Sequence, residues 1–124
     1  MISNFPILIL ARAGSKRIKD KNIVEICGKP LITHAVEKAL KVTSDVYVSS
    51  DSEKILDIIK HAGARQVRRP DKLSTDTASS IACVKHFLSL TDYQNVCILQ
   101  ATVHLIKSNY IKAGVELFLT KKFN

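Results

Sequence analysis

Pro6-Ile7-Leu8-Ile9-Leu10-Ala11, running straight into Arg12-Ala13-Gly14-Ser15-Lys16-Arg17-Ile18-Lys19-Asp20-Lys21-Asn22, is the stretch on which the fold turns. A short unbroken apolar run reads as a strand covered on both faces, the habit of parallel sheets. The segment after it contains a glycine and carries five cations, Arg12, Lys16, Arg17, Lys19 and Lys21, against one acid, Asp20. That loop therefore holds half of the chain's formal charge of +8. Charge concentrated behind one strand points to an anion held at that strand's carboxyl end, rather than to a basic surface spread over the molecule.

Outward from this stretch, strand and helix signals alternate. Between Leu31 and Val42 the residues Ile32, Ala35, Val36, Ala39 and Leu40 recur at helical spacing, Pro30 suits the first turn, and Glu37 with Lys41 forms an i,i+4 pair. Asp45 to Ser50 is short and rich in β-formers. Asp51-Ser52-Glu53 then offers capping and dipole-matching groups to a helix with Ile55, Ile58, Ile59 and Ala62 on one face, closed by Gly63. Ala64 to Val67 reads as a third strand, Arg68-Arg69-Pro70 breaks it, and Asp71 to Thr77 reads as a polar loop. A third helix follows, with Asp76 and Ser79 as cap residues and Ile81, Val84 and Leu88 inward. Asn95 to Gln100 is a fourth buried strand, and Ser108 caps a last helix bearing Ile111, Val115 and Phe118.

Four β-α repeats predict a Rossmann-like, three-layer αβα fold with a mostly parallel sheet of about four strands, residues 1–124 forming a single domain. Ligands of such sheets bind beyond the carboxyl ends of the strands, so one edge should collect Arg12 to Asn22, Asp51, Arg69 to Ser80, and Gln100. Asp51 has two readings there, a helix cap or a carboxylate meeting a metal-bound nucleotide. Arg65 and Arg68 read as surface charge.

Composition narrows the classes. With 46% hydrophobic and 24% charged residues the chain is expected to fold. Aromatics are only 6% and do not interleave with the cations, which argues against nucleic acid as the anionic partner. Cys27, Cys83 and Cys97 are odd in number and far apart, so they read as reduced core thiols. His34, His61, His86 and His104 lack paired ligand spacing, and no transition-metal site is expected. Phe5 to Ala11 lacks the preceding cation and neutral cleavage site of a signal peptide. No apolar run approaches the ~20 residues of a membrane span. The expected location is cytoplasmic, without membrane contact.

The basic loop is neither GxxxxGK[ST] nor GxGxxG, so the common ATPase and dinucleotide readings fail. Three ordered blocks instead carry a resemblance. They are Ile9-Leu10-Ala11-Arg12-Ala13-Gly14-Ser15-Lys16-Arg17 through Asn22 with Gly28-Lys29-Pro30-Leu31-Ile32; Val48-Ser49-Ser50-Asp51-Ser52 with Arg69-Pro70-Asp71-Lys72-Leu73-Ser74 through Ser80; and Ile98-Leu99-Gln100-Ala101-Thr102. In these the chain resembles the amino-terminal part of the acylneuraminate cytidylyltransferases, also called CMP-sialic acid synthetases, and their relatives acting on pseudaminic or legionaminic acid.

The resemblance implies a nucleotide-diphospho-sugar transferase-like fold that joins CTP to a nine-carbon 2-keto sugar acid, releasing pyrophosphate. Arg12 and Lys21 would be catalytic. Arg12, Ser15, Lys16, Lys21, Asn22, Arg69 and Ser80 would hold the nucleotide, and Gln100 would face the sugar acid. Mg²⁺ is implied as cofactor, with its carboxylate ligands largely in the part of the family's length that lies beyond Asn124. A homodimer or a complementing chain is the implied assembly. Ala11, Arg17 and the run Gln100-Ala101-Thr102-Val103-His104-Leu105-Ile106 depart from the family pattern, the last where the sugar acid would be read. Two functional expectations stand: a sugar-activating cytidylyltransferase, and a CTP-binding module that lacks the carboxyl half and does not turn over.

Overall fold

Four parallel strands carry the architecture of the computed structural model, which describes residues 5–11, 25–70 and 80–100. In chain order the elements are β1 (Ile7–Leu10), β2 (Glu25–Ile26), β3 (Lys29–Pro30), α1 (Leu31–Leu40), β4 (Val46–Ser50), α2 (Glu53–His61), β5 (Arg65–Arg68), α3 (Ser80–Ser89) and β6 (Cys97–Gln100). The main sheet has the order β5-β4-β1-β6. β1 pairs in parallel with β4 (Ile7 opposite Val46) and with β6 (Ile7 opposite Cys97), and β4 pairs with β5 (Tyr47 opposite Arg65). The expected αβα sandwich is present, and the expected last helix lies outside the described residues.

The alternation of side chains along β1 assigns the two faces. Ile7 and Ile9, with Val46 and Val48 of β4, meet Ile32, Ala35, Val36 and Ala39 of α1 and Ile55 and Ile59 of α2. Leu8 and Leu10 point the other way and join Val67 of β5 with Cys83 and Phe87 of α3. Helices thus cover both faces, and β1 is apolar throughout because neither of its sides meets water. Among the described residues no helix is long and apolar enough to cross a membrane.

Local chemistry sets the helix ends. Ser52 caps α2 by accepting a hydrogen bond from the Ile55 N–H at 3.2 Å, with Glu53 in the first turn and Lys60 and His61 in the last, matching the helix dipole at both ends. The cap is therefore Ser52 rather than Asp51. Gly63 follows with φ +103, where a Cβ would lie 3.3 Å from Leu40 Cδ1, so both backbone and space favour glycine. Pro30 stands at the N-cap of α1, one residue ahead of its first turn.

Three expectations need correction. Ile81 is 67% exposed, because the buried stripe of α3 runs through Cys83 and Phe87, and a residue two places before Cys83 lies roughly 200° round the helix from it. Cys27 is exposed, not a core thiol: it occupies the turn of an unexpected antiparallel hairpin, β2 with β3, where Cys27 (φ 54) and Gly28 (φ 80) both adopt positive φ. Glu37 of α1 pairs with Lys29 of β3, at 2.9 and 3.0 Å, rather than with Lys41. Arg68 is exposed as expected, and it is also ion-paired with Glu53.

An aromatic group fixes the segment between α3 and β6. Phe87 packs edge-on against Tyr47 at 4.9 Å and stacks on Tyr93 at 6.1 Å, while the Tyr47 and Tyr93 hydroxyls lie 3.2 Å apart. Arg65 donates from Nη1 to the Tyr47 hydroxyl at 2.8 Å. The hydrogen bond to Tyr47, followed by burial, pushes the Tyr93 phenol up from 10.0 to about 12.

Phe87→Ala should destabilise the chain by about 3–5 kcal/mol in urea unfolding. Ile81→Ala should cost less than about 0.5 kcal/mol, as a surface change does. Because Tyr93 keeps its proton more tightly when folded, its contribution is complete below pH 10 and is lost as pH rises toward 12. Ultraviolet titration of the three tyrosines should show one phenol ionising near pH 12, and Tyr47→Phe should bring that phenol back toward 10.

Candidate functional site

Because β1, β4, β5 and β6 are parallel, their carboxyl ends lie along one edge. Ala11, Asp51, Arg69 and the end of β6 at Gln100 stand there, and α3 must open on that side at Ser80 to return the chain to the start of β6. From β1 the chain moves first to β4 and β5 and then crosses to β6 on the opposite side. The order therefore reverses between β1 and β6, the position at which the loops diverge and leave a crevice. Arg12, Ser15, Lys16, Lys21 and Asn22 lie outside the described residues, as do Asp71 to Ser79. The described chain brings the basic loop's point of departure, Ala11, to the centre of the edge.

Among the described residues Arg69 is the buried cation of this edge, only 6% exposed. Its backbone N–H continues the ladder by donating to the Ser50 carbonyl at 3.0 Å. Its side chain turns back onto β4, where Nη2 donates to the Ser49 carbonyl at 2.9 Å and Nε donates to Ser49 Oγ at 3.3 Å. Two of the five guanidinium donors are thus spent on one residue, along the Nε–Nη2 side of the group. A buried cation is costly unless strong acceptors meet it, and Ser49 supplies two.

Ser49 itself is fully buried. It lies in register between Leu10 and Val67, both members of the apolar cluster under α3. Its carbonyl also accepts from the Ala11 N–H at 3.0 Å, so one oxygen serves the last residue before the basic loop and the guanidinium of Arg69. Ser49 was not among the expected site residues. The available signal was a hydroxyl interrupting a strand whose neighbours are apolar. Next to it, Ser50 Oγ accepts from the Ser52 N–H at 3.1 Å, shaping the turn in which Asp51 sits half-buried.

At the opposite, amino-terminal edge an open cleft of about 570 Å³ is lined by Tyr47, Thr91, Asp92, Tyr93, Gln94 and Asn95. Among the described residues, none of the expected site residues lines it. Among the described residues no cluster of three or more His, Cys, Asp or Glu is arranged for a metal ion. Burial pushes the Cys97 thiol up, which leaves it a poor nucleophile.

Comparison with known proteins places this edge in context. The family model described as "Cytidylyltransferase" matches residues 6–123. The pseudaminic acid cytidylyltransferase of Campylobacter jejuni subsp. jejuni serotype O:23/36 is 40% identical over 120 residues, covering 90% of this chain and 52% of the relative. The N-acylneuraminate cytidylyltransferase of Escherichia coli O18:K1:H7 is 39% identical over 116 residues, covering 91% of this chain and 28% of that protein. The chain thus spans about half the length of the Campylobacter relative, and less of the other. In fold it is similar to a CMP:2-keto-3-deoxy-manno-octonic acid synthetase solved with CTP, with a TM-score of 0.84 over 95% of this chain and 48% of that one at 23% identity.

Proposed function

Since the chain belongs to the cytidylyltransferase family, we propose that it binds CTP along the carboxyl edge of its sheet, and that the activity this serves is transfer of CMP to a nine-carbon 2-keto sugar acid. The observation that carries the reading is the reversal of strand order beside β1, which puts the start of the basic loop, Arg69 and the end of β6 on one crevice. Arg12, Lys16 and Lys21 bring positive charge to the triphosphate. Ser15 and Asn22 add hydrogen-bonding groups, Arg69 and Ser80 hold the nucleotide from the β5 side, and Gln100 meets the sugar acid.

The reaction is attack of the sugar's anomeric hydroxyl on the α-phosphorus, with pyrophosphate leaving. Negative charge grows on the phosphoryl and leaving oxygens, where the Arg12 and Lys21 cations stabilise it. Holding nucleotide and sugar acid in line supplies a further share of the rate. Mg²⁺, when bound, neutralises phosphate charge and orients the leaving group. Asp51 is a described carboxylate of the edge, next to the Glu53 that pairs with Arg68, and a Mg²⁺ that takes most of its ligands from phosphates and water would fit one protein carboxylate there. The protein acts in the cytoplasm, as a homodimer or with a complementing chain.

A second reading is nucleotide binding without turnover by this stretch of chain, which spans about half of the Campylobacter relative's length. The two readings separate cleanly. CTP at a hundred times its Kd should stabilise the chain by about 2.7 kcal/mol, raising Tm by several degrees where ATP does so less. Pyrophosphate release from CTP, Mg²⁺ and a nonulosonic acid supports the enzyme; a CTP shift without release supports the binding module. Absence of any CTP shift overturns both. Where turnover is present, Arg12→Ala or Lys21→Ala should each remove about 2–4 kcal/mol of transition-state stabilisation, measured as kcat/KM.

A further inference from the structure

We infer that Ser49 is a positioning residue for the nucleotide site, holding Arg69 in a fixed orientation and tying it to the start of the basic loop. The inference rests on the reading of Arg69 as a nucleotide ligand. Its ground is that the hydroxyl has no packing reason to be where it is. Ser49 is fully buried on the face under α3, flanked in the ladder by Leu10 and Val67. An apolar side chain would suit that face better, since a buried hydroxyl is unfavourable without a partner. The partner is Arg69 Nε, at 3.3 Å.

The same residue's carbonyl uses both of its acceptor directions, one for the Ala11 N–H at 3.0 Å and one for Arg69 Nη2 at 2.9 Å. Two bonds from one residue fix the plane of the guanidinium, not merely its distance. The side formed by Nε and Nη2 is committed to β4, so the remaining donor hydrogens, on Nη1 and the far side of Nη2, are aimed in a set direction. A guanidinium held in this way loses little freedom when an anion or a base edge meets it, and preorganisation of that kind appears as affinity. Because Ser49 O also anchors Ala11, the cation from the β5 side and the loop leaving β1 share one mechanical reference.

The test is a double-mutant cycle on the full chain, read by CTP affinity and by Tm without nucleotide. Ser49→Ala should weaken CTP binding about five- to tenfold, the range of one lost hydrogen bond to a charged group of modest geometry, and should lower the unliganded Tm as well, because the buried Nε loses its acceptor; the coupling in the cycle, not the Tm, separates positioning from stability. In an Arg69→Ala background the same change should weaken binding no further, because the residue through which Ser49 acts is gone. Unchanged affinity in Ser49→Ala, or an equal loss in both backgrounds, overturns the inference and leaves the nucleotide reading intact. Failure of the parent chain to bind CTP overturns the nucleotide reading and the role of Ser49 with it. If Ser49→Ala does not melt cooperatively, Arg69→Lys decides: it keeps the cation but forfeits the Nε–Nη2 fork, and binding retained at the parent level overturns the inference.

Discussion

Burial of β1 on both faces and both edges is the constraint from which the rest of this structure follows. Ile7, Leu8 and Ile9 have no exposed surface, and the strand is hydrogen-bonded to β4 on one side and β6 on the other. A strand in that position cannot be joined to parallel neighbours by tight turns, so each connection must cross a face and cover it with a helix. α1 and α2 cover the face of Ile7 and Ile9, and α3 covers the face of Leu8 and Leu10. Using both faces obliges the chain to build outward from β1 in two directions. The crevice at the carboxyl edge is the geometric result of that choice rather than an addition to it.

Two polar groups sit at opposite ends of this apolar frame and behave differently. At the amino edge, Arg65, Tyr47 and Tyr93 form a chain of hydrogen bonds in which the cation is largely exposed and the phenols secure a loop. At the carboxyl edge, Arg69 is buried and its acceptors come from the interior of β4. The first arrangement is tolerant, because water can replace a lost partner. The second is not, because a guanidinium deprived of its acceptors inside the protein has no solvent to turn to.

Much of this was legible from residue order. The apolar run Ile7 to Leu10, the α1 and α2 stripes and the Ser52–Gly63 punctuation each act through nearest neighbours, and each is found close to where pattern reasoning puts it. The errors arose where long-range packing chose between local options. In α3 both Ile81 and Cys83 begin a plausible stripe, and the choice falls to the one beneath which Leu8 and Leu10 lie. The β2–β3 hairpin is two residues per strand, too short for periodicity, and its turn uses a cysteine where asparagine would have announced it. Of the site, the charge of the loop and the place of Arg69 could be read, whereas Ser49 looked like one more strand residue. Its importance comes from Ala11 and Arg69, neither of which is its neighbour in the chain.

The pairing of β1 with β6 also sets an order of assembly. These strands lie at opposite ends of the described chain, so the central strand keeps one open edge until β6 has been made. During synthesis β1, β4 and β5 with α1 and α2 can close one hydrophobic face, while Leu8 and Leu10 wait for α3. Among the described strands, the β6 side of β1 is thus the last to be covered as the chain is made, and until then it presents an unpaired edge beside the exposed Leu8 and Leu10 face.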